Sequence, residues 1–249
     1  MFRYFLELSY KGTAYSGFQV QANANSIQAE MEKAFSIFFR QSVLMTGASR
    51  TDAGVHARQN YFHFDFEGEI RQDAVYRLNA ILPEDISVHK ISKMPAEAHC
   101  RFDAESREYR YYIYGKKEPF LKDRAYYYPY RMEWDRMQEA AERIREFTDF
   151  SSFSKRNTQV KHFRCSVFES EWEQEGDCRV YHIRANRFLR GMVRGLTGTM
   201  LLVGRGKMSV DDFEKMAAGK DSSKVNFNVP AKGLFLEKVK YPAQFNVDM

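Results

Sequence analysis

The 249-residue chain carries 38 Lys+Arg against 33 Asp+Glu, a formal net charge of +5, and is 44% hydrophobic. That is enough apolar chain for one large domain or two smaller ones with a buried core, and the mild positive charge admits a polyanionic partner without requiring one. Cys100, Cys165 and Cys178 stand far apart, with no C-x-x-C pair and no histidine cluster, which excludes a disulfide framework and a zinc site.

In chain order, Tyr4, Leu6, Leu8 and Tyr10 alternate with Phe5, Glu7 and Ser9, and Lys11-Gly12-Thr13 interrupts the alternation, so a first strand is expected. Residues 1–10 lack the apolar run of a signal peptide and no later stretch approaches a membrane span; a cytoplasmic protein without a membrane partner is expected. Ile27, Met31, Ala34, Phe35 and Phe38 share one helical face, and Asn25 with Gln28 resembles a capping box, predicting a helix over 26–40. Strands follow at Val43–Thr46, Gln59–Phe66 and Ser87–Ser92, with a helix at Asp73–Leu82 ended by Pro83. From Arg107 a second strand-first pattern begins, with Tyr109, Tyr111 and Ile113 alternating against Arg110, Tyr112 and Tyr114. A helix from about Asp135, strands at 163–174 and 178–185 around Glu175-Gly176-Asp177, helices at 188–203 and 210–218, and a strand at 233–240 complete it. The two halves share an order of elements, which predicts an α+β fold of two related subdomains, 1–104 and 105–249, with antiparallel mixed-order sheets joined across a central cleft and helices on one face.

The stretch from Gly47 to Ala57, GASRTDAGVHA, joins small residues to one carboxylate, one guanidinium and one imidazole between two predicted strands. Gly47 and Gly54 tolerate unusual backbone angles, and Arg50 and Asp52, two apart, project to one side of an extended segment, where an ion pair would keep the carboxylate ionised. Such an Asp suits nucleophilic or general-base work, but by its residues alone the segment reads first as a turn with Arg50 as a surface partner. His56, beside Val55 and without metal partners, reads as structural.

The run Arg50-Thr51-Asp52-Ala53-Gly54-Val55-His56-Ala57 closely resembles the signature of the tRNA pseudouridine synthase A family. The likeness extends along nearly the whole chain, through Tyr10–Gln19, Arg107–Tyr111, Asn186–Arg194 and Ala231–Leu234 in the expected order. It implies the pseudouridine synthase fold, an isomerase making pseudouridine at positions 38, 39 and 40 of the tRNA anticodon stem and loop, Asp52 as nucleophile, a homodimer, and no metal or organic cofactor. Tyr109 matches the tyrosine that stacks on the target base, although by its spacing alone it is a cross-strand packing residue. Arg194 matches the basic residue close to the catalytic Asp, and Arg50 is placed to fill the space a flipped base vacates. The sequence departs from the family pattern at Phe18, Ser49, Gly191 and Gly195; the two glycines cost their helix about 0.8–1 kcal/mol each relative to alanine.

Within the predicted 188–203 helix, Arg187, Arg190 and Arg194 form a basic stripe opposite Leu189, Met192, Val193, Leu196 and Met200. Arg187 and Arg190, with Lys155 and Arg156 in the loop Lys155-Arg156-Asn157, are candidate RNA contacts or ordinary solvated charges. A non-catalytic RNA-binding protein and a synthase acting on another RNA would use the same surfaces.

Overall fold

In the computed structural model, residues 1–156, 160–245 and 247 are described; Asn157 of the predicted basic loop lies outside them. The chain divides into two units, Met1–Glu105 with Phe235–Met249, and Ser106–Leu234. The expected boundary near residue 104 leaves residues 235–249 in the second subdomain, whereas they pack with the first.

The first unit begins with β1 (Phe2–Tyr10), α1 (Ile27–Phe39), β2 (Thr46–Gly47), β3 (His56–Phe66), α2 (Ala74–Ile81) and β4 (Ile86–Met94). In β1 the alternating Tyr4, Leu6, Leu8 and Tyr10 are all buried, and so is Phe5 on the other face, where Tyr241 and Phe245 cover it at ring distances of 5.4 and 6.0 Å. The helix cap is Ser26, whose side chain accepts from Ala29 N, and not Asn25. Asn25 is already engaged, donating to the Ala14 carbonyl at 2.6 Å. The predicted strand at 43–46 shrinks to the two residues of β2, because Gln28 donates to Met45 O and Glu32 accepts from Met45 N, so side chains take the place of a ladder.

In the second unit come β5 (Ser106–Tyr114), β6 (Tyr126–Tyr127), α3 (Trp134–Arg143), β7 (Val167–Glu175), β8 (Cys178–Ala185), α4 (Met192–Gly204) and α5 (Val210–Ala218). The last strand, β9 (Leu234–Lys240), returns to the first unit and pairs parallel with β3, Phe235 opposite His56 and Leu236 opposite Ala57. This parallel pairing carries residues 235–249 out of the second unit.

The first unit thus has the strand order β4-β1-β3-β9 with β2 on β3, and the second has β5-β8-β7 with β6 on β5. The first unit runs β1-α1-β2-β3-α2-β4 and the second β5-β6-α3-β7-β8-α4-α5, so the two share a strand, helix, strand pair, helix order only when β6 is set aside. The pairs β3/β9 and β5/β6 are parallel and the others antiparallel, giving a mixed-sheet α+β fold. On the second-unit sheet, Ser170 donates to the Ala141 carbonyl of α3 and Trp172 stacks on Tyr181, so this face of the sheet lies under the helices.

The predicted helix at 188–203 starts only at Met192. Gly191 has φ +76°, a left-handed conformation that breaks the helix before its first turn. Arg187 and Arg190 therefore precede the helix and form no stripe with Arg194. Gly195 is within α4, and a Cβ there would meet Phe227 at 2.8 Å and Val225 at 2.9 Å, so its smallness admits the 225–227 segment against the helix. Among the described residues, no helix is long and apolar enough to cross a membrane.

Candidate active site

Asp52 opens a turn that closes with Val55 N donating to Asp52 O at 3.2 Å, and Gly54 holds φ +76° at its third position, as a type II turn requires. The carboxylate residue is half-buried, while its neighbours Thr51, Val55 and His56 are buried. Each neighbour is anchored. Thr51 Oγ1 and Tyr10 Oη share a 2.7 Å hydrogen bond, and Asn60 Nδ2 donates both to Tyr10 Oη and to the Ser49 carbonyl. On the backbone side, Phe18 N donates to Thr51 O and Gly54 N to Tyr15 O. His56 accepts from Gly12 N at 3.2 Å and stacks on Phe235 with ring centroids 4.5 Å apart, a structural part.

Two departures from the family pattern are accommodated here. Phe18 is 1% exposed and stacks on Phe62 at 4.6 Å beneath the loop, in space that Gly47 leaves open: a Cβ on Gly47 would lie 2.1 Å from the Phe18 ring. Ser49 is buried, and its hydroxyl has no hydrogen-bond partner among the described residues, so it fits by size alone.

The expected Arg50–Asp52 ion pair does not form. Arg50 is exposed, and among the described residues no carboxylate lies in salt-bridge range of it, because the chain leaves the extended path when Asp52 enters its turn.

In the second unit, Tyr109 lies half-buried in β5 opposite Ile183 of β8, its ring edge-to-face with Phe188 at 4.9 Å. Its face-mate Tyr111 is fully buried and donates to Pro230 O at 2.7 Å; burial pushes that phenol well above its ordinary pKa, with Arg194 pulling the other way. Arg194, in the first turn of α4, donates through Nε and Nη2 to Val229 O at 3.0 and 2.7 Å. The segment 225–230 thus ties Tyr111 and Arg194 into one arrangement within this unit.

The predicted RNA contacts gather nearby in the same unit. Lys155 N donates to Arg190 O at 3.0 Å, and the Lys155 side chain lies over Gly191. Arg187 Nη1 is 3.2 Å from a ring nitrogen of exposed His162. Neither 155–166 nor 186–194 contains an Asp or Glu, so these cations face no acid within their own segments. Arg156 lies near enough to Asp221 to help lower its pKa, after the bonds from Ser223 and the charge of Lys224.

Sequence reasoning missed the Tyr10–Thr51–Asn60 network. The available signal was Asn60, an amide directly before the buried aromatic pair Tyr61 and Phe62 of β3. Among the described residues, no group of three His, Cys, Asp or Glu side chains has the geometry to hold a metal ion, and the three cysteines are buried and unpaired as disulfides.

An α+β chain that fixes one half-exposed carboxylate on a braced turn, and presents a half-buried tyrosine near lysines and arginines whose own segments hold no acid, has the parts of an enzyme acting on a polyanionic substrate. The sequence model of the family described as tRNA pseudouridine synthase matches residues 8–103 and 147–242. The chain is 45% identical to tRNA pseudouridine synthase A of Parabacteroides distasonis over 98% of both chains, and 45% identical to that of Bacteroides fragilis over 97% of both. The Bacillus licheniformis tRNA pseudouridine synthase A is 38% identical over 94% of this chain and 97% of its own. The chain belongs to the tRNA pseudouridine synthase family, and is an isomerase that converts uridine to pseudouridine in tRNA.

Proposed function

We propose that this enzyme modifies uridines 38, 39 and 40 in the anticodon stem and loop of tRNA, with Asp52 as its nucleophile. The observation that carries the reading is the match of Arg50–Ala57 to the family signature, in a loop where Thr51, Val55 and His56 around Asp52 are buried and anchored while Asp52 itself stays half-exposed. Such a pinned, reachable carboxylate is preorganised for attack.

Uridine and pseudouridine are isomers. The N1–C1′ bond must break, the detached uracil must turn while it stays bound, and C5 must join C1′; the hydrogen leaves C5 and N1 gains one. Ionised Asp52 opens this sequence. Tyr109 stacks on the loosened ring, a role suited to a half-buried ring, and Arg194 stands where the family has its basic active-site residue. Flipping the target base out of its stem costs a few kcal/mol, and Arg50, exposed and with no carboxylate in salt-bridge range among the described residues, is suited to fill the vacated stack. Lys155, Arg156, Arg187 and Arg190 grip phosphates. As in the family, the enzyme acts as a homodimer in the cytoplasm.

The test is pseudouridine mapping at single-nucleotide resolution on tRNA treated with wild-type protein or with Asp52→Asn. The reading expects pseudouridine at 38 to 40 with wild type only, and tRNA binding retained by the variant. An active Asp52→Asn protein overturns the nucleophile assignment, and modification confined to other tRNA positions overturns the site assignment. Sedimentation of the purified protein as a monomer at working concentration overturns the dimer.

A further inference from the structure

Residues 115–131, between β5 and α3, interleave aromatic rings with Lys116, Lys117, Lys122, Arg124 and Arg131, against only Glu118 and Asp123; Asp123 is paired with Arg124. Within this stretch β6 pairs parallel with β5, Ile113 opposite Tyr126 and Tyr114 opposite Tyr127. Cross-strand partners share a face of the sheet. Tyr126 therefore stands on the face that carries Tyr109, Tyr111 and Ile113, and Tyr127 stands on the other, where its ring meets Tyr114 at 5.3 Å.

The row on the Tyr109 face continues outward. The Tyr126 and Tyr128 rings are 5.2 Å apart, and the Tyr128 and Tyr130 rings 4.8 Å apart. Arg205, immediately after α4, closes the row with its guanidinium carbon 4.0 Å from the Tyr130 ring centroid. Burial grades along it, with Tyr126 and Tyr128 half-buried and Tyr130 51% exposed.

These rings differ from the tyrosines that hold the fold. Tyr61, Tyr111 and Tyr241 are buried and give their hydroxyls to Glu7, Pro230 O and Cys100 O. Among the described residues, no protein group bonds the hydroxyls of Tyr126, Tyr128 or Tyr130. A row of rings that opens to solvent at Tyr130, is capped by a guanidinium and belongs to a stretch with five cations against two acids is suited to nucleobases, since every base has a face to stack and every nucleotide a phosphate to neutralise.

We propose that Tyr126, Tyr128 and Tyr130, closed by Arg205, form a stacking track for unpaired nucleotides of the bound tRNA, outside the pocket of the target uridine. The proposal rests on the reading above that the enzyme binds the tRNA anticodon arm with Tyr109 at the target base. The track supplies affinity and orientation, and takes no part in the bond changes.

The test compares Tyr128→Ala/Tyr130→Ala with Tyr128→Phe/Tyr130→Phe and with Arg205→Gln, each in the full-length protein. The Kd for unmodified tRNA transcript is read by fluorescence anisotropy, the single-turnover rate at saturating tRNA by release of the C5 hydrogen, and the oligomeric state by sedimentation. The alanine variant is expected to weaken binding by about 5- to 150-fold for each stack lost. The phenylalanine variant keeps binding within about 2-fold, because the ring face and not the hydroxyl stacks. Arg205→Gln weakens binding by about 2-fold or more. All three keep the rate at saturating tRNA, so KM rises and kcat stands in the alanine and Arg205→Gln variants, and neither changes in the phenylalanine variant.

An unchanged Kd in a folded alanine variant overturns the proposal, as does an equal loss in the phenylalanine variant. A change of oligomeric state with tRNA affinity retained overturns it in favour of a protein interface. Should the alanine variant fail to fold, an unchanged Kd in Arg205→Gln does the same. Because binding is read on whole tRNA, these results stand apart from the position mapping: modification away from 38 to 40 leaves the expected losses of affinity intact.

Discussion

Replacing Gly12 with alanine tests whether the Asp52 turn is held in place by backbone contact with the segment after β1. A Cβ on Gly12 would sit 1.9 Å from the carbonyl oxygen of Val55 and 2.7 Å from its carbonyl carbon, where ordinary contact begins at 3.4 Å. The two segments must therefore part by about 1.5 Å, the difference between 3.4 and 1.9 Å. Neither has a flexible side chain that could yield instead, since the clash is with backbone, and both are tied down: Gly12 N donates to His56, and Val55 N closes the turn on Asp52 O. Shared between them, the shift at the turn is on the order of 1 Å, a displacement that costs about 100-fold in rate. The overpacking itself costs about 1–3 kcal/mol of stability, which leaves the protein folded. The assay is single-turnover release of tritium from tRNA carrying C5-tritiated uridine, with tRNA Kd and Tm measured beside it. The expected outcome is a rate about 100-fold lower, a Kd within about 3-fold and a lower Tm. A wild-type rate together with a lowered Tm would refute the reasoning, since the strain would then be absorbed without moving Asp52.

Gly198→Ala puts a Cβ 2.1 Å from Asn226 O, in a segment pinned by Asn226 Nδ2 on Gly198 O and Asn226 N on Thr199 Oγ1; stability should fall by about 1–3 kcal/mol, and an unchanged Tm would show that the segment yields freely. Two histidines should give pH dependences of opposite sign. Burial, aided by Arg3 and His99, holds His63 down to about 4 from 6.5, so the unfolded chain takes the proton first and stability falls as pH drops from about 6.5 towards 4. His182, 3.0 Å from Glu108, has its pKa raised by that carboxylate first and by Glu171 further on; its contribution is complete below about 6.5 and is lost as pH rises through the raised value. Urea midpoints across this range should flatten on the acid side in His63→Gln and on the alkaline side in His182→Gln, and wild-type slopes in either variant count against the assigned cause. Lys155→Gln and Arg190→Gln should each reduce the slope of log binding constant against log salt by about 0.7–0.9 while leaving the saturated rate alone; unchanged slopes would remove these residues from the phosphate contacts.

Local periodicity made much of the fold legible. The strand expected at 178–185 is β8 to the residue, and the buried set of β1 and the inner face of α1 follow their apolar spacing. The errors arose where a distant partner or a single backbone angle overrode the local pattern. Leu189 continues the apolar phase of α4 and is buried, yet it precedes the helix because Gly191 turns the chain left-handed between them. Val43 and Met45 alternate with Leu44 as a strand should, but Gln28 and Glu32 occupy the polar groups of Met45, so no ladder forms there. Nothing in the alternation of residues 233–240 specifies a parallel partner 179 positions earlier, Phe235 on His56. The Asp52 loop stood out through its motif, whereas its supports did not: Tyr10 and Thr51 are 41 residues apart, and Tyr10 and Asn60 are 50 apart.

Those supports answer a conflict that any carboxylate nucleophile faces. A side chain that must meet substrate cannot be fixed by burying itself, because burial would favour its neutral form and close it off. Here fixation is delegated to the residues around it. Thr51 before Asp52, and Val55 and His56 after it, are buried pegs, and the turn between them is too short to wander. The pegs seat tightly because Gly12 and Gly17 bring backbone against backbone: Gly12 against Val55, and Gly17, at φ +120°, against Thr51 and Ala53. Residues outside the turn thus set the position of the carboxylate proposed as the nucleophile. Sensitivity to substitution should accordingly extend through Gly12, Gly17, Tyr10 and Asn60, side chains with no chemistry to contribute and contacts that nothing larger or less polar can replace.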